Sequence, residues 1–407
     1  MKILLINNHH YIKGGTERYY FNLSNLLRSH NHKVAFFSMK DTKNAKTRWS
    51  KYFVSNIDFY KRGMLNNMFI IKRIFYSLEA KRKISLLLDT FKPDLVHINN
   101  IYYYLSPSIL FEIKKRKIPI VQTIHDYQLI SPTINFFHDG EICEITKKKK
   151  YYKAILHKCV KQSFIISLIA AINSYVQTLF NFFEKNVDYY ISPSVFLKKK
   201  LVEYGFSPKK IIILPNFCDI PKKRGINKLS NKFVLFFGRL TEEKGILFLL
   251  KLAKKLPSVN FLVAGEPNKM TINKIDKYKI NNISLLGFLN NNQINKKISE
   301  SLFTIIPSIW YEVNPYSILE SYAYSKAVIA SSIGGIPEIV KNGETGFTFK
   351  PNDIEDCENK VLNMWNNPKI SKKMGENAKK YVKKDYNSKI YYQQLLKIYK
   401  KAINKYN

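Results

Sequence analysis

The chain has 407 residues, 45% of them hydrophobic and 24% charged, which is more than one hydrophobic core accommodates and too apolar for a disordered protein; two domains are expected. Lys and Arg outnumber Asp and Glu by 67 to 30, for a formal net charge of +37. Such a field points to an anionic partner (nucleic acid, an acidic membrane surface or phosphorylated substrates) or to a biased genome composition, which the abundance of Lys, Asn and Ile also fits. No nucleic-acid motif with interleaved aromatic residues accompanies the charge, so no specific nucleic acid is expected as a partner. The four cysteines, Cys143, Cys159, Cys218 and Cys357, include no CxxC pair and read as reduced cytoplasmic thiols.

The chain opens on a short apolar run, Ile3 to Ile6, that ends in Asn and His. It is too short for a signal peptide and reads as a first buried parallel strand. Lys13-Gly14-Gly15-Thr16-Glu17 then opens a helix whose apolar positions Tyr20, Leu23, Leu26 and Leu27 keep helical spacing. Strand, glycine turn and helix form the first half of a Rossmann unit without the full dinucleotide fingerprint. Gly14 and Gly15 let the backbone approach a phosphate or sugar oxygen closely; a tight structural turn is the alternative. Lys33 to Ser38 is the second strand.

From Asp41 to Lys83 the strand–helix alternation is lost, and Lys61, Arg62, Lys72, Arg73 and Lys81 to Lys83 interleave with aromatic residues. Strands resume at Pro93 to Asn100 and at Ile118 to Ile124. The second of these delivers His125 and Asp126 at its C-terminal end, where open α/β sheets bind ligands. His97 reads as a satisfied histidine at a strand end, with a direct ligand role as the alternative. Phe164 to Phe183 is long and apolar, but Asn173, Ser174, Gln177, Thr178 and Asn181 argue against a transmembrane span and for a buried or surface-docked helix. The lysines from Lys147 to Lys161 could hold it against anionic headgroups.

Val187 to Ser192 and Ile211 to Leu214 complete the first half, with a hinge expected near Asn216 to Leu229. Strand and helix then alternate through Phe233 to Phe237, Ile246 to Leu256, Asn260 to Val263, Ile283 to Leu285, Ile294 to Ser301 and Phe303 to Ile306. The lysine-rich terminus, about Ser371 to Tyr406, is expected to be helical. Between Pro307 and Pro337 lie Glu312 and Glu320, with Asn314-Pro315-Tyr316-Ser317 between them. Pro315 disfavours helix for Asn314 and suits a helix start, so a helix should begin there with its positive end toward a bound anion. Two carboxylates around such a helix start suit a nucleotide-sugar, with hydroxyls at one end and phosphates in the middle.

These residues resemble the donor-site signature of retaining glycosyltransferases of family 4. So do Phe236-Phe237-Gly238-Arg239-Leu240 with Glu243-Lys244-Gly245, Val263-Ala264-Gly265-Glu266, Leu286-Gly287-Phe288, Gly334-Gly335-Ile336-Pro337-Glu338 and Asn342-Gly343-Glu344-Thr345-Gly346. The resemblance implies an α/β fold of GT-B type: two Rossmann-like domains facing each other across a cleft, with a C-terminal helix crossing back to the N-domain. Residues 1–215 would form the acceptor-binding domain, 216–385 the donor-binding domain and 386–407 the returning helix.

It further implies an enzyme, a retaining and metal-independent hexosyltransferase. The sugar would pass from a nucleotide-diphosphate donor to a hydroxyl of a lipid-linked glycan, in surface polysaccharide, capsule or lipopolysaccharide assembly. No cofactor is expected, and the location is cytoplasmic or peripheral on the inner face of an anionic membrane. Arg239 and Lys244 would stabilise the leaving diphosphate in place of a metal. Glu312 would accept hydrogen bonds from donor-sugar hydroxyls, Glu320 would hold the ribose, and His125 would lie beside the sugar. Gly14, Gly15, Gly238, Asn314, Pro315, Tyr316 and Ser317 would line the donor. Glu312-Val313-Asn314-Pro315 stands where many members have Glu-Gly-Phe-Gly, which bears on donor identity. A nucleotide-sugar epimerase of the same architecture and a catalytically silent anion-binding relative are the alternatives.

Overall fold

In the computed structural model of the chain, the described residues are 1–57, 64–221, 232–266, 272–273, 277 and 280–406. Lys61, Arg62 and positions 222–229 of the expected hinge lie outside them. The chain divides into two compact units, Met1–Phe136 with Cys143–Leu214 and Tyr392–Asn407, and Phe137–Ile142 with Pro215–Tyr391.

The first unit carries strands β1 (Lys2–Asn7), β2 (Lys33–Phe37), β3 (Leu95–Asn100) and β4 (Ile120–Thr123). After the two-stranded hairpin β5 (Phe137–His138) and β6 (Glu141–Ile142), which clusters with the second unit, it adds β7 (Tyr189–Ser192) and β8 (Ile211–Ile213). Its sheet runs β2-β1-β3-β4-β7-β8, every recorded pairing parallel. Helices cover a parallel sheet on both faces, which is why Ile3 to Ile6 is an unbroken apolar run with no exposure. The covering helices are α1 (Gly15–Ser29), α2 (Met64–Phe75), α3 (Leu78–Phe91), α4 (Ser108–Lys115), α5 (Tyr152–Leu156), α6 (Phe164–Phe180), α7 (Phe182–Asn186) and α8 (Val195–Glu203). In α1, Tyr19, Tyr20, Leu23, Leu26 and Leu27 form the buried stripe that its spacing predicts.

The second unit carries β9 (Val234–Phe237), α9 (Ile246–Lys255), β10 (Phe261–Ala264), β11 (Ile283–Gly287), α10 (Asn291–Glu300) and β12 (Phe303–Ile306). It continues through α11 (Tyr316–Ala323), β13 (Val328–Ser331), α12 (Ile336–Ile339), β14 (Gly346–Phe349), α13 (Ile354–Asn366) and α14 (Pro368–Asp385). The sheet order β11-β10-β9-β12-β13-β14 is the dinucleotide-fold order, with its direction of winding reversed between β9 and β12. In such sheets the crevice at that reversal, beyond the strand C-termini, is where ligands bind.

The lysine-rich terminus forms two helices. Tyr386 leaves helical geometry after α14, and the Asn387 side chain accepts the Ile390 amide at 2.9 Å, starting α15 (Ser388–Ile403) afresh. No glycine or proline marks this break. From Tyr392 onward α15 belongs to the first unit, where Tyr399 is fully buried.

Candidate active site

The loop after β9 and the loop after β12 meet at the winding reversal. Gly245 ends a short turn at φ +79, and a Cβ there would overlap the Pro307 carbonyl oxygen, so only glycine lets the two backbones approach this closely. The Ile309 amide donates to the Glu243 carbonyl at 3.0 Å, tying one loop to the other. This juxtaposition places Lys244 Nζ 2.7 Å from Glu312 Oε1.

Glu312 is a buried carboxylate, its side chain only 4% exposed. Its Oε1 also accepts the Ser308 hydroxyl at 2.6 Å. Burial pushes the Glu312 carboxyl up, but the Lys244 charge and hydrogen bonds from Lys244 and Ser308 outweigh it, and the net pKa is lowered. The Lys244 ammonium also lies over the Trp310 ring, 4.8 Å from its centroid. Arg239, by contrast, is 57% exposed and loosely held, with a single 3.4 Å contact to Glu243. Gly238, just before it, is also exposed.

The helix expected near Pro315 begins at Tyr316, with Pro315 in extended geometry at the capping position. Tyr316 and Ser317 form its first turn, at the positive end of the helix dipole. Glu320, half-buried, follows on the next turn. Asn314 is buried and pairs reciprocally with Asn216, whose side-chain amide donates to the Asn314 carbonyl at 2.9 Å and whose backbone amide donates to Asn314 Oδ1 at 3.3 Å.

A second glycine closes the loop: Gly335 N donates to the Glu312 carbonyl at 2.7 Å, and Gly334, at φ +60, would place a Cβ onto the Glu312 backbone. Gly334→Ala should therefore move the Glu312 loop. The expected result is a loss of roughly 2–4 kcal/mol of stability and weaker nucleotide binding, read by thermal unfolding and calorimetric titration. Unchanged values for both would show that the loop yields freely.

In the first unit Gly14 caps α1 in extended geometry and Gly15 is its first residue. Glu17 is buried behind them, accepting the Asn7 amide at 3.3 Å, and burial raises its pKa. His125 follows β4; its Nε2 must donate to Asn99 Oδ1, at 3.2 Å, because that oxygen only accepts. Burial lowers the His125 pKa to about 3, so at neutral pH the ring is uncharged. The Tyr19 ring meets it edge-on at 4.8 Å. Neighbouring Asp126 accepts from Asn100 at 3.4 Å and from the Gln128 amide at 3.0 Å, and burial raises its pKa to about 6.

His97 is fully buried with both nitrogens engaged, Nδ1 with the Tyr399 hydroxyl at 2.6 Å and Nε2 with Thr123 at 2.8 Å. It is a satisfied core residue, and Thr123 extends the chain to the Tyr19 hydroxyl at 3.0 Å. The residues in the second unit that sequence reasoning left without a role are Ser308, Trp310 and Asn216. Ser308 and Trp310 stand within the Pro307–Pro337 stretch, but nothing in their spacing says what they face. None of the four cysteines is in a disulfide, and among the described residues no group of three or more His, Cys, Asp or Glu side chains is placed to hold a metal.

Two parallel-sheet Rossmann-like units, the second with a lysine–glutamate pair at its winding reversal, are the parts of a GT-B fold. The family model for glycosyltransferase family 4 matches residues 13–221, and that for glycosyl transferases group 1 matches residues 219–381. The chain belongs to glycosyltransferase family 4 and is a glycosyltransferase of GT-B fold. A 42.6 kDa protein in the cps region of Klebsiella pneumoniae is 25% identical over 388 residues, covering 89% of this chain and 96% of the relative. Among solved structures, sucrose-phosphate synthase from Thermosynechococcus elongatus aligns with a TM-score of 0.75 at 17% identity, covering 98% of both chains. Anabaena HepE in complex with UDP and glucose aligns with a TM-score of 0.70 at 16% identity, covering 98% of this chain and 99% of that one.

Proposed function

We propose that the chain is a retaining, metal-independent hexosyltransferase, taking a hexose from a nucleoside-diphosphate sugar to a hydroxyl of a lipid-linked glycan. The observation that carries this reading is partly exposed Lys244 paired with buried Glu312 at the winding reversal of the second sheet, with exposed Arg239 on the same loop. Cleavage of the bond from the anomeric carbon to the diphosphate leaves negative charge on phosphate, which Arg239 and Lys244 are placed to neutralise without a metal. The positive end of α11 adds fixed charge of the same sign. In this reading Glu312 orients Lys244 and meets a sugar hydroxyl, Glu320 holds the ribose, and neutral His125 serves transfer. The acceptor hydroxyl attacks the face that the diphosphate leaves, and the leaving phosphate oxygen takes its proton, so configuration is retained.

The relative in a cps region and the neighbour holding UDP and glucose support a nucleotide-sugar donor and surface-glycan assembly on the cytoplasmic side of a membrane. The experiment is thermal unfolding against a panel of nucleotides and nucleotide-sugars, with EDTA and then with Mg²⁺. A ligand at 100 times its Kd adds about 2.7 kcal/mol. The expected result is one selective shift, equal with and without metal and lost in Arg239→Ala and Glu320→Ala. No shift with any nucleotide-sugar would overturn the reading.

A further inference from the structure

Helix α6 is turned inside out. The side buried against the unit carries its small and polar residues: Ser167, Ala170, Ala171, Asn173 and Ser174. These are held by local bonds, Ser167 accepting the Val160 amide at 3.0 Å and Ser174 donating to the Ala170 carbonyl at 3.0 Å. The large apolar residues face outward. Ile165, Ile172 and Leu179, seven residues apart, are 67%, 43% and 76% exposed, with Tyr175 between the last two. On a helix these positions fall in one stripe, ~21 Å long at 1.5 Å per residue.

The stripe does not end with the helix. Phe180 stacks on Phe182 at 5.3 Å, Phe182 meets Phe111 edge-on at 5.4 Å, and Phe111 lies 6.4 Å from Tyr76. Phe180, Phe111 and Tyr76 are all exposed, so the apolar face runs from α6 across α7 and α4. An exposed contiguous patch of this kind marks an interaction surface.

Its surroundings are cationic. Between Ile145 and Phe183 the sequence has seven lysines and no aspartate or glutamate; Lys147 pairs with Glu203 from outside this stretch. Lys148, Lys149, Lys158 and Lys161 are exposed. Lys149 shares a recess with Gln177, Thr178 and Asn181 at the C-terminal end of α6, and Lys158 and Lys161 precede its N-terminal end. Lys81 lies over the Tyr76 ring at 5.7 Å. Among the described residues no helix is long and apolar enough to cross a membrane.

We propose that this face docks on an anionic lipid surface, with α6 lying in the headgroup plane, its Ile165–Leu179 stripe at the acyl boundary and the lysines on headgroup phosphates. Charge decides between this occupant and a second copy of the chain, because two copies would bring like lysine clusters together on a protein of net charge +37. Burying an apolar stripe while lysines meet phosphate satisfies both features at once. The inference deepens the lipid-linked acceptor of the reading above, but it rests on exposure and charge alone and is measured without donor or acceptor.

The test is flotation of the full chain with mixed phosphatidylglycerol–phosphatidylcholine vesicles and with pure phosphatidylcholine vesicles, at low and high salt. Binding is expected to the anionic vesicles and to weaken with salt. It should fall at least about tenfold in Ile165→Ser/Ile172→Ser/Leu179→Ser and in Lys148→Glu/Lys149→Glu/Lys158→Glu. Thermal stability and the nucleotide-sugar shift of both variants should match the parent, which separates this proposal from the transfer reading. As a second probe, Leu179→Trp should gain blue-shifted emission on anionic vesicles alone. Unchanged binding by the serine variant, or a parent dimer that the serine variant makes monomeric in sedimentation, would overturn the proposal.

Discussion

Lys244→Ala should lower kcat/KM by about 100- to 1,000-fold, the range set by removing one preorganised charge from a site where negative charge develops. The same change strands Glu312 in a pocket that leaves its side chain 4% exposed. Removing one partner of a buried ion pair costs about 3–5 kcal/mol, since the remaining charge keeps its desolvation penalty. Glu312 then gains by taking up a proton, so the stability loss should shrink as the pH is lowered. Stability and activity should separate in Lys244→Met/Glu312→Gln, which removes both charges. That variant should recover most of the lost stability while remaining inactive. Denaturant unfolding beside steady-state transfer rates reads both effects. Near-parental turnover by Lys244→Ala would remove the pair from the chemistry, and an unchanged midpoint would show that Glu312 is not desolvated as its burial indicates.

The second large effect is acid lability. Burial lowers the pKa of His97 and of His125 to about 3 and of His9 and His10 to about 4, from 6.5 in an open chain. For each, the unfolded chain binds a proton below 6.5 that the folded protein refuses until the lower value is reached. The unfolded state therefore holds more protons in that window, and stability rises with pH there, which means it is lost as pH falls from 6.5. His97, fully buried and bonded at both nitrogens, contributes about 2 kcal/mol of this loss by pH 5, from 1.36 kcal/mol per pH unit. Asp126, raised to about 6, has the opposite sign: its folded form keeps a proton that the open chain releases, so stability falls as pH rises from 3.8 toward 6. Four histidines against one such aspartate and Glu17 leave the histidine slope dominant. The unfolding midpoint should drop steeply between pH 6.5 and 5, and His97→Gln should flatten that slope by about one proton. An identical slope in the variant would show that His97 titrates alike in both states.

Much of the fold was legible because parallel strands buried on both faces must be unbroken apolar runs, as Ile3 to Ile6 and Phe303 to Ile306 are. At Tyr386 and Asn387 no glycine or proline marks the break between helices, and only the resemblance, with its returning helix from 386, pointed to it. The strands Val328–Ser331 and Gly346–Phe349 flank the glycine-rich closing motifs, and the pattern reading does not pick either of them out. For the site, sequence marked Lys244 beside Gly245 and Glu312 ahead of the helix start at Pro315, but said nothing of their partnership over 68 positions. That pairing required Gly245 to let the β9 and β12 loops touch. Ser308 and Trp310 acquire meaning only from that contact.

Composition and apolar pattern by themselves determined a two-domain α/β chain, since both are local properties, and the glycosyltransferase reading came from the resemblance of its motifs to family 4. Tertiary structure alone decided that His97 is satisfied by Tyr399, 302 positions away, and that α6 presents isoleucine and leucine outward while burying serine and alanine. A helix with apolar residues all round does not state which side its neighbours will cover. That choice is made by the small residues that let α6 pack closely against its own unit, and it leaves the large ones facing outward.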